Sequence, residues 1–238
     1  MNIKTNLKRV INFSGGRTSA MMTILLKPTL EDIVLFTDTK REHNKTYEFI
    51  DNFEKNEGIR VIRISDELGF KRFNKELPNI YTRLCTKELK IKTAKRWLKD
   101  NKIITFENYI GFRADEPERV RDRDQRFKKV FDKFPLYEWG ITEVDVLKFW
   151  EKRPYNLSIP KILGNCECCF LKGKDALIKI IANNNTAADE WIEDEKRTGY
   201  KFIKGFSYST LKDIALSQTK LFNLENLEAA YKCKCNSL

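Results

Sequence analysis

The chain has 238 residues, 41% of them apolar and 33% charged, which is enough to build a sizeable core and excludes a disordered or fibrous protein. Its 45 Lys and Arg against 34 Asp and Glu leave a net charge of +11, a balance suited to a polyanionic partner such as nucleic acid or to phosphorylated small molecules. No apolar run reaches the ~18 residues of a membrane span and the N-terminus carries no signal-peptide pattern, so a cytoplasmic protein without a membrane partner is expected.

Val10, Ile11 and Phe13 predict a short buried strand, and Ala20, Met21, Ile24 and Leu25 recur at helical spacing, so the junction falls on Ser14, Gly15 and Gly16. Two adjacent glycines permit positive φ and let backbone N–H groups approach a ligand, while the following helix offers unpaired N–H groups and the positive end of its dipole. The junction is predicted to be an anion site, with an ordinary strand-to-helix turn as the alternative. Ile33 to Phe36 predicts a second strand, "TYEFIDNFEKNEG" an amphipathic helix closed by Gly58, and "RVIRIS" a third strand. "CTKELKIKTAKRWLKDN" predicts a basic helix and "ENYIGFRADEPERV" a fourth strand running into a charged loop. This alternation predicts the α/β class, a Rossmann-like, doubly wound and mostly parallel sheet covered on both faces. Such sheets bind ligands beyond the carboxyl ends of their strands, where "SGGRTS", "TDTKREH" and "GFRADEPER" would meet. His43, the only histidine, is read as a solvated or capping residue rather than a base.

From about residue 120 the pattern changes. "RVRDRDQRFKK" is a solvated charge run or a loop over a phosphate-rich ligand, and Thr142 with Asp145 opens a helix that stops before Pro154. A further helix is expected around Ala187 to Arg197, so a nucleotide-binding domain over 1–172 would be followed by a helical region over 173–238 with a Cys-rich tail.

Taken in order, these clusters resemble the phosphoadenosine phosphosulfate reductase family of the adenine nucleotide α-hydrolase (PP-loop) superfamily. That family has a Ser-Gly-Gly-x-Asp-Ser loop; here it is Ser14, Gly15, Gly16, Arg17, Thr18 and Ser19, with threonine in place of the aspartate. "FTDT" at 36–39, "RLCTKELK" at 83–90, "GFRADEPER" at 111–119 and "PLYEWGITEVDVLKFW" at 135–150 complete the match. The resemblance implies that Ser14 to Ser19 hold a pyrophosphate or sulfate group, that Asp38 and Thr39 face a ribose or adenine edge, and that Arg83, Lys90, Arg113 and Arg119 supply further charge. Arg113 is expected to touch ligand, because a guanidinium presents a planar fork to phosphate oxygens, unless a surface salt bridge to Asp115 or Glu116 holds it.

Six cysteines are too few for a secreted disulfide scaffold, and five crowd into "CECC" and "CKC", which suggests metal ligation or redox chemistry. Cys166 and Cys169 stand at C-x-x-C spacing around Cys168, a pattern suited to zinc or an iron–sulfur cluster. Cys85 opens the basic helix as a third ligand or a nucleophile, and Cys233, Cys235 or Cys168 is a candidate fourth ligand. The family's Glu-Cys-Gly-Leu-His tail is missing, since the chain ends in "YKCKCNSL". The resemblance therefore implies an enzyme that binds ATP with Mg2+, or a sulfated adenine nucleotide (adenylyl sulfate or its 3'-phosphorylated form). It would couple attack at the α-phosphate to sulfur transfer through a 4Fe-4S cluster, with a sulfur-donor or electron-donor protein as partner. The alternatives are a sulfonucleotide reductase with rearranged cysteines, and a nucleotide-regulated nucleic-acid-binding or defence module with structural Zn2+.

Overall fold

The computed structural model describes residues 7–122 and 129–217. Part of the charge run, the last helical pattern and both tail cysteines, Cys233 and Cys235, lie outside the described residues. The chain opens with β1 (Lys8–Asn12), α1 (Arg17–Leu26), β2 (Ile33–Asp38), α2 (Asn44–Glu57) and β3 (Ile62–Ser65). A π-helix over Cys85–Lys92 runs without a break into α3 (Thr93–Asp100), followed by β4 (Phe106–Tyr109), the single-turn α4 (Pro117–Arg121) and β5 (Val130–Lys133). After α5 (Pro135–Glu138) and α6 (Glu143–Glu151) come the helices α7 (Lys174–Asn183), α8 (Asp189–Thr198) and α9 (Tyr208–Leu216).

The five strands lie in the order β3-β2-β1-β4-β5, and every pairing is parallel. Sequence alternation sorts the two faces, as period-2 geometry requires. Ile11, Phe13, Val34 and Phe36 point to the larger core with α1 and α2, while Val10, Ile33 and Leu35 pack on the other face against Ala94 and Leu98 of α3. The strand order reverses between β1 and β4, which makes their carboxyl ends the topological switch point of the sheet. Buried Asn12 donates to Asn108 Oδ1 at 2.6 Å, and Asn108 donates to Asp132 Oδ1 at 2.6 Å, so a polar ladder crosses β1, β4 and β5.

Gly58 closes α2 in the left-handed region at φ 66°, and Thr142 with Asp145 forms a capping box on α6, both as expected. Two elements depart from expectation. The predicted basic helix is π-wound over its first half, and β5 emerges just past the charge run, where no strand was read, because four residues at a sheet edge, none of them buried, carry little periodic signal. The larger core is continuous from Ile11 and Phe36 in the sheet to Leu177, Tyr208 and Leu211 in the C-terminal helices. None of the helices among the described residues is long and apolar enough to cross a membrane.

Candidate functional site

All three polar clusters follow parallel strands and lie beyond one edge of the sheet. The loop after β1 turns at Gly15, whose φ of +75° and neighbours demand glycine: a Cβ there would lie 2.6 Å from Thr46 Cγ2. Gly16 does not use the positive φ that two adjacent glycines permit. Its φ is −105°, and a Cβ would meet only Ser14 Oγ at 3.6 Å and Asn165 Nδ2 at 3.8 Å, so the position is open toward the cleft rather than strained. Ser14 N donates to Ser19 Oγ at 3.0 Å, the two hydroxyls lie 3.0 Å apart, and Ser19 Oγ donates to Gly16 O, which shapes the turn from within. The first N–H groups of α1 then have no intrahelical partner, as at any helix start, and they face the switch point with the dipole's positive end.

Neighbouring elements brace this turn. Trp150 Nε1 of α6 donates to Arg17 O at 2.9 Å, and a Cβ on Gly111, just past β4, would stand 3.5 Å from Ser19 Cα. Arg17's side chain turns away from the loop and donates to Asn156 Oδ1 at 2.7 Å and to Leu157 O; its burial holds the guanidinium pKa below the usual value. Thr18 is half-buried in the same first turn of α1.

After β2, Asp38 accepts from Lys40 N at 2.6 Å and from the Tyr47 hydroxyl at 2.9 Å. Burial, then the Asp38 charge, pushes that phenol's pKa up. Thr39 donates to Glu42 Oε1 at 3.1 Å, and Lys90 Nζ lies 3.0 Å from the same oxygen. Glu42 has no counterpart in the motif reading, and its only sequence signal is its place in a charge-dense loop at a strand end. His43 caps α2, accepting from Lys45 N at Nδ1, which bears out its reading as a capping residue.

After β4, Arg113 is turned onto its own loop. It donates from Nε to Asp115 Oδ1 at 2.9 Å, with Glu116 at 3.7 Å and Glu143 at 3.9 Å. Burial alone would lower its pKa, but the Asp115 bond and the surrounding carboxylates outweigh that and raise it. Arg119 pairs with Glu116 at 2.9 Å and stacks over Phe112 at 4.1 Å. Arg83 sits at φ 41° two residues before Cys85, which begins the π-helix.

The cysteine loop joins this site through a residue that motif reading missed. Asn165 Nδ2 donates to Ser14 O at 2.8 Å, and Asn165 O accepts from His43 N at 2.5 Å, so one residue stitches "GNCECC" to both the phosphate loop and the start of α2. Buried Lys172 reaches back to Cys166 O. Cys168 and Cys169 are buried, and burial pushes the Cys168 thiol pKa up, while Cys85 and Cys166 pack half-buried against the same core. Tyr208 donates to Cys168 O at 2.6 Å, and burial raises the phenol's pKa. Among the described residues no group of three or more His, Cys, Asp or Glu is arranged to hold a metal ion. The described cysteines thus do not by themselves assemble the centre expected from Cys85, Cys166 and Cys169, and Cys233 and Cys235, two of the candidate fourth ligands, are outside the described residues.

Comparison with known proteins agrees with this layout. The chain is 28% identical over 168 residues to the uncharacterized protein MJ0066 of Methanocaldococcus jannaschii, an alignment covering 67% of this chain and 35% of that protein. It is 29% identical over 197 residues to the uncharacterized nin region protein ORF290 of Escherichia phage lambda, covering 68% of this chain and 66% of that one. It is 23% identical over 205 residues to MJ0973 of the same archaeon, covering 82% and 50%. The chain therefore spans 35%, 66% and 50% of the lengths of these curated relatives. A crystal structure of phosphoadenylyl-sulfate reductase from Candida auris, in a phosphate complex, aligns with a TM-score of 0.45 at 16% identity, covering 65% of this chain and 76% of that one. The phosphoadenosine phosphosulfate reductase domain model matches residues 8–157, more than half the chain and all three loops of the site, so the chain belongs to that family and to the PP-loop superfamily.

Proposed function

We propose that the chain is a PP-loop enzyme that binds ATP or a sulfated adenine nucleotide with its phosphate or sulfate group on the Ser14–Ser19 turn. The observation that carries this reading is the turn itself, in which Gly15 at φ +75° is packed tightly and Gly16 is left open at the N-terminus of α1. An anion there gains oriented N–H donors at no reorganisation cost, which favours reactions that develop charge on a phosphoryl or sulfonyl group. With ATP, an acceptor oxygen would attack the α-phosphorus, the bond to the bridging oxygen would break, and pyrophosphate would leave. Magnesium would arrive on the nucleotide's own phosphates, as this ion commonly does. The net charge of +11 supports a polyanionic acceptor.

The stitch from Asn165 to Ser14 O favours a second reading, cysteine chemistry on a sulfonucleotide. A thiolate Sγ would attack the sulfur, the S–O bond to the nucleotide would break, and an S-sulfocysteine would await a thiol reductant that releases sulfite. No step is derived through a metal cluster, because the described cysteines do not group as a ligand set. Calorimetry with ATP, adenylyl sulfate and its 3'-phosphorylated form tests the binding reading: at least one should bind to the parent and none to Gly16→Asp. Pyrophosphate release against sulfite release separates the two chemistries.

A further inference from the structure

We propose that Glu42 is a positioning residue for the phosphate chain of the bound nucleotide, acting through Lys90; this rests on the nucleotide reading above. The Glu42 side chain is only 2% exposed, and its Oε1 gathers the Lys90 ammonium at 3.0 Å and the Thr39 hydroxyl at 3.1 Å. A carboxylate buried this deeply is costly unless a cation and hydrogen bonds answer it, and here both come from residues at the ligand edge of the sheet. Thr39 follows β2, which pairs directly with β1, so this cluster follows the strand next to the one that leads into the Ser14–Ser19 turn.

The π-helix completes the argument. On an α-helix Cys85 and Lys90 would point about 140° apart, whereas i→i+5 winding sets residue 90 roughly over residue 85. The winding thus turns Lys90 and Cys85 toward one side, and the Glu42 contact holds the lysine stem at the end of β2. A lysine fixed before the ligand arrives binds phosphate without first losing its rotamer freedom.

The position, rather than the charge, of Glu42 is what matters in this account, and that gives the test its sign. Calorimetry with ATP and adenylyl sulfate as probes should show about tenfold weaker binding in Glu42→Ala and in Lys90→Ala. The double variant should be within twofold of Lys90→Ala alone, since the two residues act in series. Glu42→Gln keeps an acceptor oxygen at the same reach and should stay within threefold of the parent. A merely structural role would instead lower the melting midpoint and give multiplicative losses. Should Glu42→Ala fail to fold, Glu42→Asp, one methylene too short, should bind about fivefold more weakly. Parental affinity in Glu42→Ala, or in Glu42→Asp where it replaces it, overturns the proposal. So does multiplicative loss in the double variant, or a loss in Glu42→Gln equal to that in Glu42→Ala. A parent that binds neither probe overturns the nucleotide reading and this inference together, whereas a binding parent with insensitive Glu42 variants overturns this inference alone.

Discussion

The loops after β1 and after β4 flank the same switch point, and both match family motifs, yet they are built on opposite principles. The first offers backbone donors around an open glycine, with its two serine hydroxyls spent on shaping the turn. The second carries arginines that are answered inside their own loop, Arg113 by Asp115 and Arg119 by Glu116. A backbone site is fixed by the chain's course and stays oriented whether or not ligand is present. A side-chain site fixes its cations by pairing them, and ligand must compete with carboxylates already in contact.

The largest effect that would break this comparison is at Gly15. A β-branched residue at φ +75°, with its Cβ 2.6 Å from Thr46, should cost roughly 3 kcal/mol or more. Denaturant unfolding of Gly15→Val should show that loss, and an unchanged midpoint would mean the turn is not held as described. Next comes Gly16→Asp, expected to keep stability within about 1 kcal/mol, because its Cβ meets nothing closer than 3.6 Å. The same variant should lose nucleotide affinity more than about 100-fold through carboxylate–phosphate repulsion, which calorimetry reads directly. A folded variant that still binds would remove the anion from this loop.

Smaller is Arg113→Lys. If the guanidinium is committed to Asp115, nucleotide affinity should fall less than about fivefold; a loss above about 30-fold would show that the fork leaves its carboxylate for the ligand. The smallest effect extends the comparison to the end of β3, where Asp66 again gathers two arginines, Arg72 at 2.7 Å and Arg96 at 3.1 Å. Burial opposes ionisation, but the bonds from Arg72 and Arg96 outweigh it and hold the Asp66 pKa below its ordinary value of 3.8. A depressed folded pKa contributes stability above the unfolded value that is lost as pH falls through the folded one. The advantage of the parent over Asp66→Asn should therefore be roughly 0.5–1 kcal/mol at pH 7, limited by the exposure of the arginines, and should shrink below about pH 4. A gap that does not narrow in melts at pH 3 would assign the stabilisation to packing.

The parts of the site that were legible in the sequence are the local ones. Ser14 to Ser19 announce themselves because turn, glycine and helix start are contiguous, and the short continuous apolar run Ile33 to Phe36, ending in polar residues, makes β2 plain. What stayed hidden depends on partners far along the chain. Asn165 meets Ser14 across 151 positions, and nothing in "GNCECC" tells the asparagine from a spacer between cysteines. Glu42 is an ordinary charged residue until the fold buries it against Lys90. Arg113 differs in the opposite sense: its motif is clear in the sequence, while which of the nearby carboxylates holds it is decided only in three dimensions. The π-winding was invisible for another reason: Cys85 to Lys92 has ordinary helix formers at every position but no marker for an extra residue per turn.

Arg41 carries one more consequence. Its guanidinium is held between Phe70 at 4.1 Å and Trp191 at 4.6 Å and is paired with Glu190 and Asp194 of α8. It follows Asp38 and Thr39 by a few residues, so this loop of the candidate site is bolted to a helix beyond residue 157, where the family match ends. The family match is thus shorter than the stretch that packs around this loop. Were the chain cut at the family boundary, Arg41 would lose its two carboxylates and the indole above it, and the loop would keep its motif but not its shape. Residues beyond the family match thus supply the grip on a loop that lies within it.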